Sequence, residues 1–390
     1  MVYNFDEAVD RRNSSSIKWS QYGDDVIPLW VADMDFRSPD EVLTAIKQRA
    51  DHGIFGYQAD SPSLRELLAE RYKLRHRLQV TPEEIMFVPG VVTALNIVSR
   101  AYDHPGDGVL MLTPIYPPFM SATQNGGKLL QTAELAVTQE GQRLRYEIDF
   151  ERLEAAVTPQ TRIFMLCNPH NPVGRVYSRV ELEQLAEFCL RHKLLIIADE
   201  IHCDLIHPGA DHISIASLSP EVSARTITLS APSKAFNVPG LACSFAVIED
   251  PALLKAFRDT AYSIGALVNA IGYTAAEAAY RHGQTWLDEL LAYLTINRDT
   301  LVQYVETRLP QIKVTVPEGT YLAWLDCRAL NLPESAYKFF LEKAKVAFSA
   351  GEIFGQGGDG FVRLNYGCTR QTLVEALDRM AEALNNASGG

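Results

Sequence analysis

Residues 85–116 read IMFVPGVVTALNIVSRAYDHPGDGVLMLTPIY. A short apolar run (IMFV) meets a Pro-Gly turn, a helix-like stretch follows, and a second apolar run (VLML, 109–112) closes the unit. The rhythm continues with IFML (163–166), LLIIA (194–198), ITL (227–229) and FAVI (245–248). Runs this short, apolar throughout and bounded by Pro, Gly, Asn or Asp, read as strands buried on both faces. They predict an α/β fold, a mostly parallel sheet with helices on both faces.

Outward from this core the texture changes. Ser38-Pro39-Asp40-Glu41 reads as the capped start of a helix carrying Val42, Leu43, Ile46 and Ala50 on one face. Ser61-Pro62 opens another, with Leu64, Leu67, Leu68 and Tyr72. Trp286 to Leu309 is a long amphipathic segment leading into VTVPEGTYLAWLDCR (314–328), which alternates like an antiparallel strand pair. A helix is expected near Glu334–Lys345, then FVRLNYG (361–367), then a terminal helix capped by Thr369 and running to about Leu384. The expected division is an N-terminal segment, 1–50, belonging to a small domain; a large domain, 51–285; and the rest of the small α+β domain, 286–390. The two chain ends would thus meet in one unit.

The bulk properties of the 390 residues narrow the function. Apolar residues make up 47% and charged residues 22%, an ordinary soluble balance. The net charge of −12 is the wrong sign for a non-specific nucleic-acid binder. The only basic cluster, RYKLRHR (71–77), reads at helical spacing as a solvated face. The N-terminus, MVYNFDEAVDRR, has neither the basic start nor the apolar run of a signal peptide. The longest wholly apolar stretches, such as Leu194 to Ala198, are far short of the ~18 residues a membrane span needs. Six cysteines (167, 189, 203, 243, 327, 368) include no CxxC pair and read as reduced thiols. A cytoplasmic protein with no nucleic-acid or membrane partner is expected.

In open α/β sheets ligands bind beyond the carboxyl ends of the strands, so the residues there carry the functional reading. After IMFV, the Pro89-Gly90 turn runs into a helix beginning Val91-Val92-Thr93, an anion site by virtue of its free amides. After VLML comes Tyr116; after IFML, Asn168-Pro-His-Asn-Pro-Val-Gly174; after LLIIA, Asp199-Glu-Ile-His202; after ITL, Ser230-Ala-Pro-Ser233-Lys234. Singly, each has a plain alternative: a structural turn, a helix cap, a solvated lysine. Together they offer an anion cradle, a flat ring, an amide, a carboxylate and a lysine. That set suits a phosphorylated aromatic aldehyde that forms a Schiff base with lysine.

Two other patterns lead elsewhere. Gly355, Gly357 and Gly360 fit GxGxxG, but a strand-like segment follows instead of the helix a dinucleotide needs, so a loop is expected. His202, Cys203, His207 and His212 invite a metal reading, yet their spacing argues against convergence on one ion, and no metal is expected.

The order of NPHNPVG, ADEIH (198–202) and SAPSKAFN (230–237) resembles the fold-type-I pyridoxal-phosphate enzymes of the class I/II aminotransferase superfamily. With PLWVADMDF (28–36), GIFGYQ (53–58), TYLAWLDCR (320–328) and FVRLNYGCTR (361–370), the chain resembles more narrowly the MalY/PatB-type cystathionine β-lyases, or C–S lyases. The resemblance implies pyridoxal 5'-phosphate as cofactor, with Lys234 as the lysine that carries it and as the base. It implies Asp199 on the pyridinium nitrogen, Asn171 on the phenolic oxygen, Tyr116 against the ring, and Val91, Val92, Ser233 and Ser230 around the phosphate, with His202 behind the cofactor. Arg363 would clamp the substrate α-carboxylate. Tyr57, also counted among the catalytic residues, would reach the phosphate from a neighbouring subunit, implying a homodimer with shared active sites.

One departure bears on the reaction. Aminotransferases of the superfamily usually carry an arginine eight residues after the lysine; here that position is Ala242. The lyase-like subgroup also lacks it. The expected activity is therefore β-elimination on L-cystathionine or a related L-cysteine S-conjugate, giving a thiol, pyruvate and ammonia. A class I/II aminotransferase, and a ligand-sensing regulatory or binding protein on the same fold, are the alternatives.

Overall fold

The computed structural model describes residues 3–102 and 104–388. Its centre is a seven-stranded sheet, in the order Ile85–Val88, Ser244–Ile248, Thr226–Ser230, Leu195–Asp199, Thr161–Cys167, Gly108–Thr113 and Leu129–Glu134. All neighbours are parallel except Ser244–Ile248, which runs antiparallel to both of its partners. Each apolar run read from the sequence is one of these strands. The edge strand Leu129–Glu134 was not anticipated, because its leading residues are exposed and it lacks a wholly apolar run.

Alternation along the strands feeds two cores. Val109, Met111, Ile163, Met165 and Ile197 pack into one; Leu110, Leu112, Phe164, Leu166 and Ile196 pack into the other. A strand buried on both faces must be apolar at every position, which is why period two is absent from these sequences. Full burial of each such side chain is worth about 1.5–3 kcal/mol. Register brings the strand ends level: Cys167 lies opposite Asp199, Asp199 opposite Leu229, and Phe245 opposite Ser230. Because Ser244–Ile248 is reversed, its amino end, at Ser244, joins the carboxyl ends of the others.

A second sheet runs Ser349–Ala350, Phe361–Asn365, Leu322–Asp326, Lys313–Thr315, Arg143–Glu147, Ala136–Glu140. Lys313–Thr315 and Leu322–Asp326 are the antiparallel pair expected. The hairpin 136–147, from the middle of the chain, was not: Ala136–Glu140 is almost entirely exposed, and only Leu144 and Tyr146 turn inward. Ile27–Pro28 pairs in parallel with Val346–Ala347, joining distant parts of the chain.

Two local expectations need correction. The helix Asp40–Asp51 forms, but Ser38 does not cap it. The Ser38 hydroxyl donates to the Asn237 carbonyl at 3.0 Å, and Glu41 accepts from the Tyr3 hydroxyl; tertiary partners outcompeted the local ones. The basic cluster 71–77 is not simply a solvated face. The helix Pro62–Arg71 passes into a wider turn, Tyr72–His76, which buries His76. Arg71 meets the buried Asp204 at 2.5 Å and lies over the Tyr280 ring.

Candidate active site

The strand ends open onto one cavity bordered by Gly90, Val91, Val92, Tyr116, Asn171, Asp199, His202, Ser233 and Lys234. Ala242, Cys243 and Ser244 complete one wall, and Ala32, Cys167 and Ile201 also border it. Eight of the eleven predicted site residues meet here. Of the other three, Arg363 lies one hydrogen bond away, while Ser230 and Tyr57 lie elsewhere.

Lys234 sits in a single turn, Pro232–Ala235, directly after the strand Thr226–Ser230. Its Nζ donates to the Ala32 carbonyl at 2.7 Å. Burial, with Arg363 nearby, lowers its pKa to about 8, so an appreciable fraction is the neutral, nucleophilic amine near neutrality. Asp199 ends its strand, and its carboxylate accepts a hydrogen bond from the Ile201 amide at 3.0 Å. Burial raises its pKa to about 7, opposed by that amide and by Lys234. Among the described residues no cation lies within ion-pair distance of it, so this carboxylate has room for a cationic partner.

The loop after Cys167 is braced on both sides. The Asn168 amide donates to the Asp199 carbonyl at 3.0 Å. The His170 ring bridges the Pro114 carbonyl (2.8 Å) and the Tyr177 hydroxyl (2.9 Å). Because a carbonyl only accepts, Nε2 carries the proton and Nδ1 accepts from Tyr177. The brace presents Asn171, whose Oδ1 accepts from Arg363 Nη1 at 3.0 Å. Arg363 Nη2 donates to the Trp30 carbonyl (2.9 Å) and Ser349 hydroxyl (3.1 Å). Among the described residues its buried Nε has no partner and no carboxylate pairs with it. Burial pulls its pKa down to about 10. A buried guanidinium held by neutral groups is a receptor for an external carboxylate.

At the other end, the helix Val91–Ala101 points its first turn at the cavity, with Ser233 and Ser244 close by. Lys234 is the only Lys or Arg among the described residues lining the cavity; an anion here would meet neutral donors. His202 lines the cavity against Tyr321, and burial keeps it neutral, well below the usual histidine range. Ser230 is turned away, donating to the Glu200 carbonyl at 3.3 Å. Tyr57 is wholly exposed at 106%.

Sequence reading missed Ser244, Ala32 and the His170 brace. Ser244 escaped because it lies at the amino end of the one reversed strand, whereas ligand sites are expected at carboxyl ends. Ala32 contributes through its backbone, which side-chain chemistry cannot announce.

Residues 24–380 match the sequence profile of the family "Aminotransferase class I and II". The chain belongs to that family. Among relatives of this aminotransferase-family chain is the cystathionine beta-lyase PatB of Bacillus subtilis (strain 168), 40% identical over 98% of this chain and 100% of the relative. The solved structure of OvoB superposes with a TM-score of 0.93 at 44% identity, over 98% of this chain and 99% of OvoB. Cystalysin from Treponema denticola, whose structure contains pyridoxal 5'-phosphate, superposes with a TM-score of 0.94 at 34% identity, over 99% of this chain and 100% of cystalysin.

Proposed function

We propose that this chain is a pyridoxal-phosphate-dependent carbon–sulfur β-lyase. It acts on L-cystathionine or related L-cysteine S-conjugates and releases a thiol, pyruvate and ammonia. The observation that carries the reading is the enclosure of Lys234 and Asp199 in one cavity, beside a buried arginine with no carboxylate of its own. The likeness to PatB and cystalysin supports it, as does Ala242 on the cavity wall.

The cavity fits the cofactor. Asp199 is a buried anion lacking a cationic partner, suited to a protonated ring nitrogen. Tyr116 offers a flat face, Asn171 an amide, and Val91, Val92, Ser233 and Ser244 supply neutral donors for a phosphate. Bound pyridoxal phosphate supplies an electron sink for the pair left at the substrate Cα when its proton departs.

This chain's residues do the rest. Arg363 and Asn171 hold the substrate α-carboxylate and fix which Cα bond faces Lys234. The Lys234 amine removes the Cα proton, the Cβ–S bond breaks with its electron pair leaving on sulfur, and the three-carbon remainder hydrolyses to pyruvate and ammonia. His202 and Tyr321 form an edge-to-face pair beside the amine. Tyr57, exposed with Ile54 and Phe55, is assigned to the site of a second subunit in a homodimer. No described helix is long and apolar enough to cross a membrane, and a cytoplasmic enzyme is proposed. We also propose that residues 1–50 and 286–390 act as the smaller unit around the 51–285 core.

The test is an end-point assay of the cofactor-loaded protein with L-cystathionine and no keto acid, following pyruvate and free thiol together, with Lys234→Ala as control. Equal amounts of both, absent in the control, are expected. Turnover only on addition of a keto acid would make the chain an aminotransferase. Sedimentation at micromolar concentration tests the dimer.

A further inference from the structure

A second cavity shares no lining residue with the first and is bordered by His76, Cys203, Asp204, His207, His212 and Asp288. Within it, one donor atom from each of His76, Cys203 and His212 lies within 4.8 Å of the other two. Cys203 Sγ is 3.8 Å from His76 Nε2, and the two imidazoles meet edge to face with centroids 5.5 Å apart. Beside them Glu200 is completely buried, its Oε2 3.3 Å from His212 Nε2, and the His212 side chain is only 3% exposed. That contact is not a well-formed hydrogen bond, and beyond it neither the Glu200 oxygens nor the His212 nitrogens have a partner among the described residues. Buried carboxylates and imidazoles are nearly always satisfied, so this group is suited to receive a cation.

We propose that His76, Cys203 and His212 bind a divalent cation of the zinc class, with Glu200 orienting His212 from behind. Two imidazole nitrogens and a thiolate form the N/S donor set that a borderline-soft ion selects over magnesium or calcium. Donors around a tetrahedral zinc stand roughly 3.5 Å apart at ordinary Zn–N and Zn–S lengths. The Cys203–His76 spacing is already close to that, and His212, within 4.8 Å of both, needs to close by roughly 1.3 Å at most. Glu200 against Nε2 leaves Nδ1 of His212 to ligate, the carboxylate–histidine–metal arrangement that fixes ring orientation. Three protein ligands leave the fourth position to water, and the open cavity is the entry path. Binding exchanges the Cys203 S–H bond for an S–metal bond and releases one proton to solvent.

The sequence expectation of no metal weighs only His202, Cys203, His207 and His212, whose spacing argues against one ion. The third ligand is His76, 127 residues before Cys203, inside a cluster read as basic surface. The sequence ADEIHC (198–203) divides between the two sites: Asp199, Ile201 and His202 border the cofactor cavity, while Glu200 and Cys203 turn to the cation site. The proposal does not depend on the lyase reading.

The experiment uses cofactor-loaded enzyme stripped of metal by chelator dialysis and titrated with Co2+, then Zn2+. One equivalent of Co2+ should give a thiolate-to-cobalt charge-transfer band and tetrahedral d–d bands to the red of the cofactor, and Zn2+ should erase both. Zn2+ should release one proton per site in weak buffer. Cys203→Ser should lose the charge-transfer band, and Glu200→Gln should weaken binding about 10–100-fold. A wild-type protein that shows no thiolate–cobalt band overturns the proposal whatever the variants do. Binding of equal strength in Cys203→Ser also overturns it, since the ion then sits elsewhere.

Discussion

Lys234 Nζ lies 2.7 Å from the carbonyl oxygen of Ala32, 202 residues earlier in the chain, and the Tyr321 hydroxyl donates to the same oxygen at 2.9 Å. The carbonyl is held still. Asn365 grips the residues immediately before and after it, Val31 and Asp33, and Asn237 grips Met34 and Phe36 just beyond. In the proposed reaction, the amine released from the cofactor would thus have a fixed resting place. Since burial lowers its pKa to about 8, the reactive neutral form grows as pH rises toward and past 8. Covalent capture of pyridoxal phosphate by the cofactor-free protein should accelerate up to about pH 8 and then level off. Stopped-flow absorbance across that range checks it; a rate independent of pH would mean the amine is not the titrating group.

Asp199 carries a stability cost in the cofactor-free protein. Its pKa is raised to about 7 from the model-peptide value near 4. Between those values the folded state holds a proton that the unfolded state has released, so stability falls as pH rises from about 4 to 7. Above 7 the full cost remains. Asp199→Asn removes it, and the cofactor-free variant should melt higher than wild type at pH 8, by on the order of 1 kcal/mol or more. The same change should abolish most turnover, because an amide cannot hold the ring nitrogen protonated. Calorimetry with and without cofactor separates the two effects: the wild type should gain more from cofactor than the variant does.

Arg363 should behave as a substrate clamp. Its Nη1 contact with Asn171 and its unpartnered Nε leave a planar fork for a carboxylate. Lysine keeps the charge but not the fork. Arg363→Lys is expected to raise KM for the amino acid about 10-fold or more while the cofactor's absorption band stays in place. A loss of cofactor instead would show that Arg363 supports the cavity and not the substrate.

The parallel core was legible because strands buried on both faces cannot hide their composition, and the lysine, carboxylate and asparagine were legible because each stands at, or within four residues of, the carboxyl end of such a strand. Arg363 and Tyr57 came only through the resemblance. The hairpin 136–147 was opaque for the opposite reason to the core: its exposed strand has no continuous apolar run beyond Ala136-Val137, and the hairpin's partner Lys313–Thr315 lies far along the chain. Ser230 misled because it is the last residue of its strand rather than part of the loop beyond, and alternation turns it to the Glu200 side.

Ala242 offers the sharpest test of how the cofactor phosphate is held. It lies on the cavity wall with φ of +51°, a left-handed conformation that a β-carbon already occupies. A longer side chain there adds little backbone strain beyond what alanine bears. The neighbouring donors Val91, Val92, Ser233 and Ser244 are neutral, so a guanidinium would be the first cation at that end. A hydrogen bond to a charged group contributes about 1.5–3 kcal/mol, which at 1.4 kcal/mol per decade is about 10–100-fold in affinity. Ala242→Arg should therefore slow cofactor loss during dialysis against an apoenzyme acceptor by about that factor, leaving the ratio of pyruvate to thiol at one. Unchanged retention would place the phosphate away from Ala242. Retention gained together with keto-acid-dependent turnover would show that this position also governs the partition between elimination and transamination.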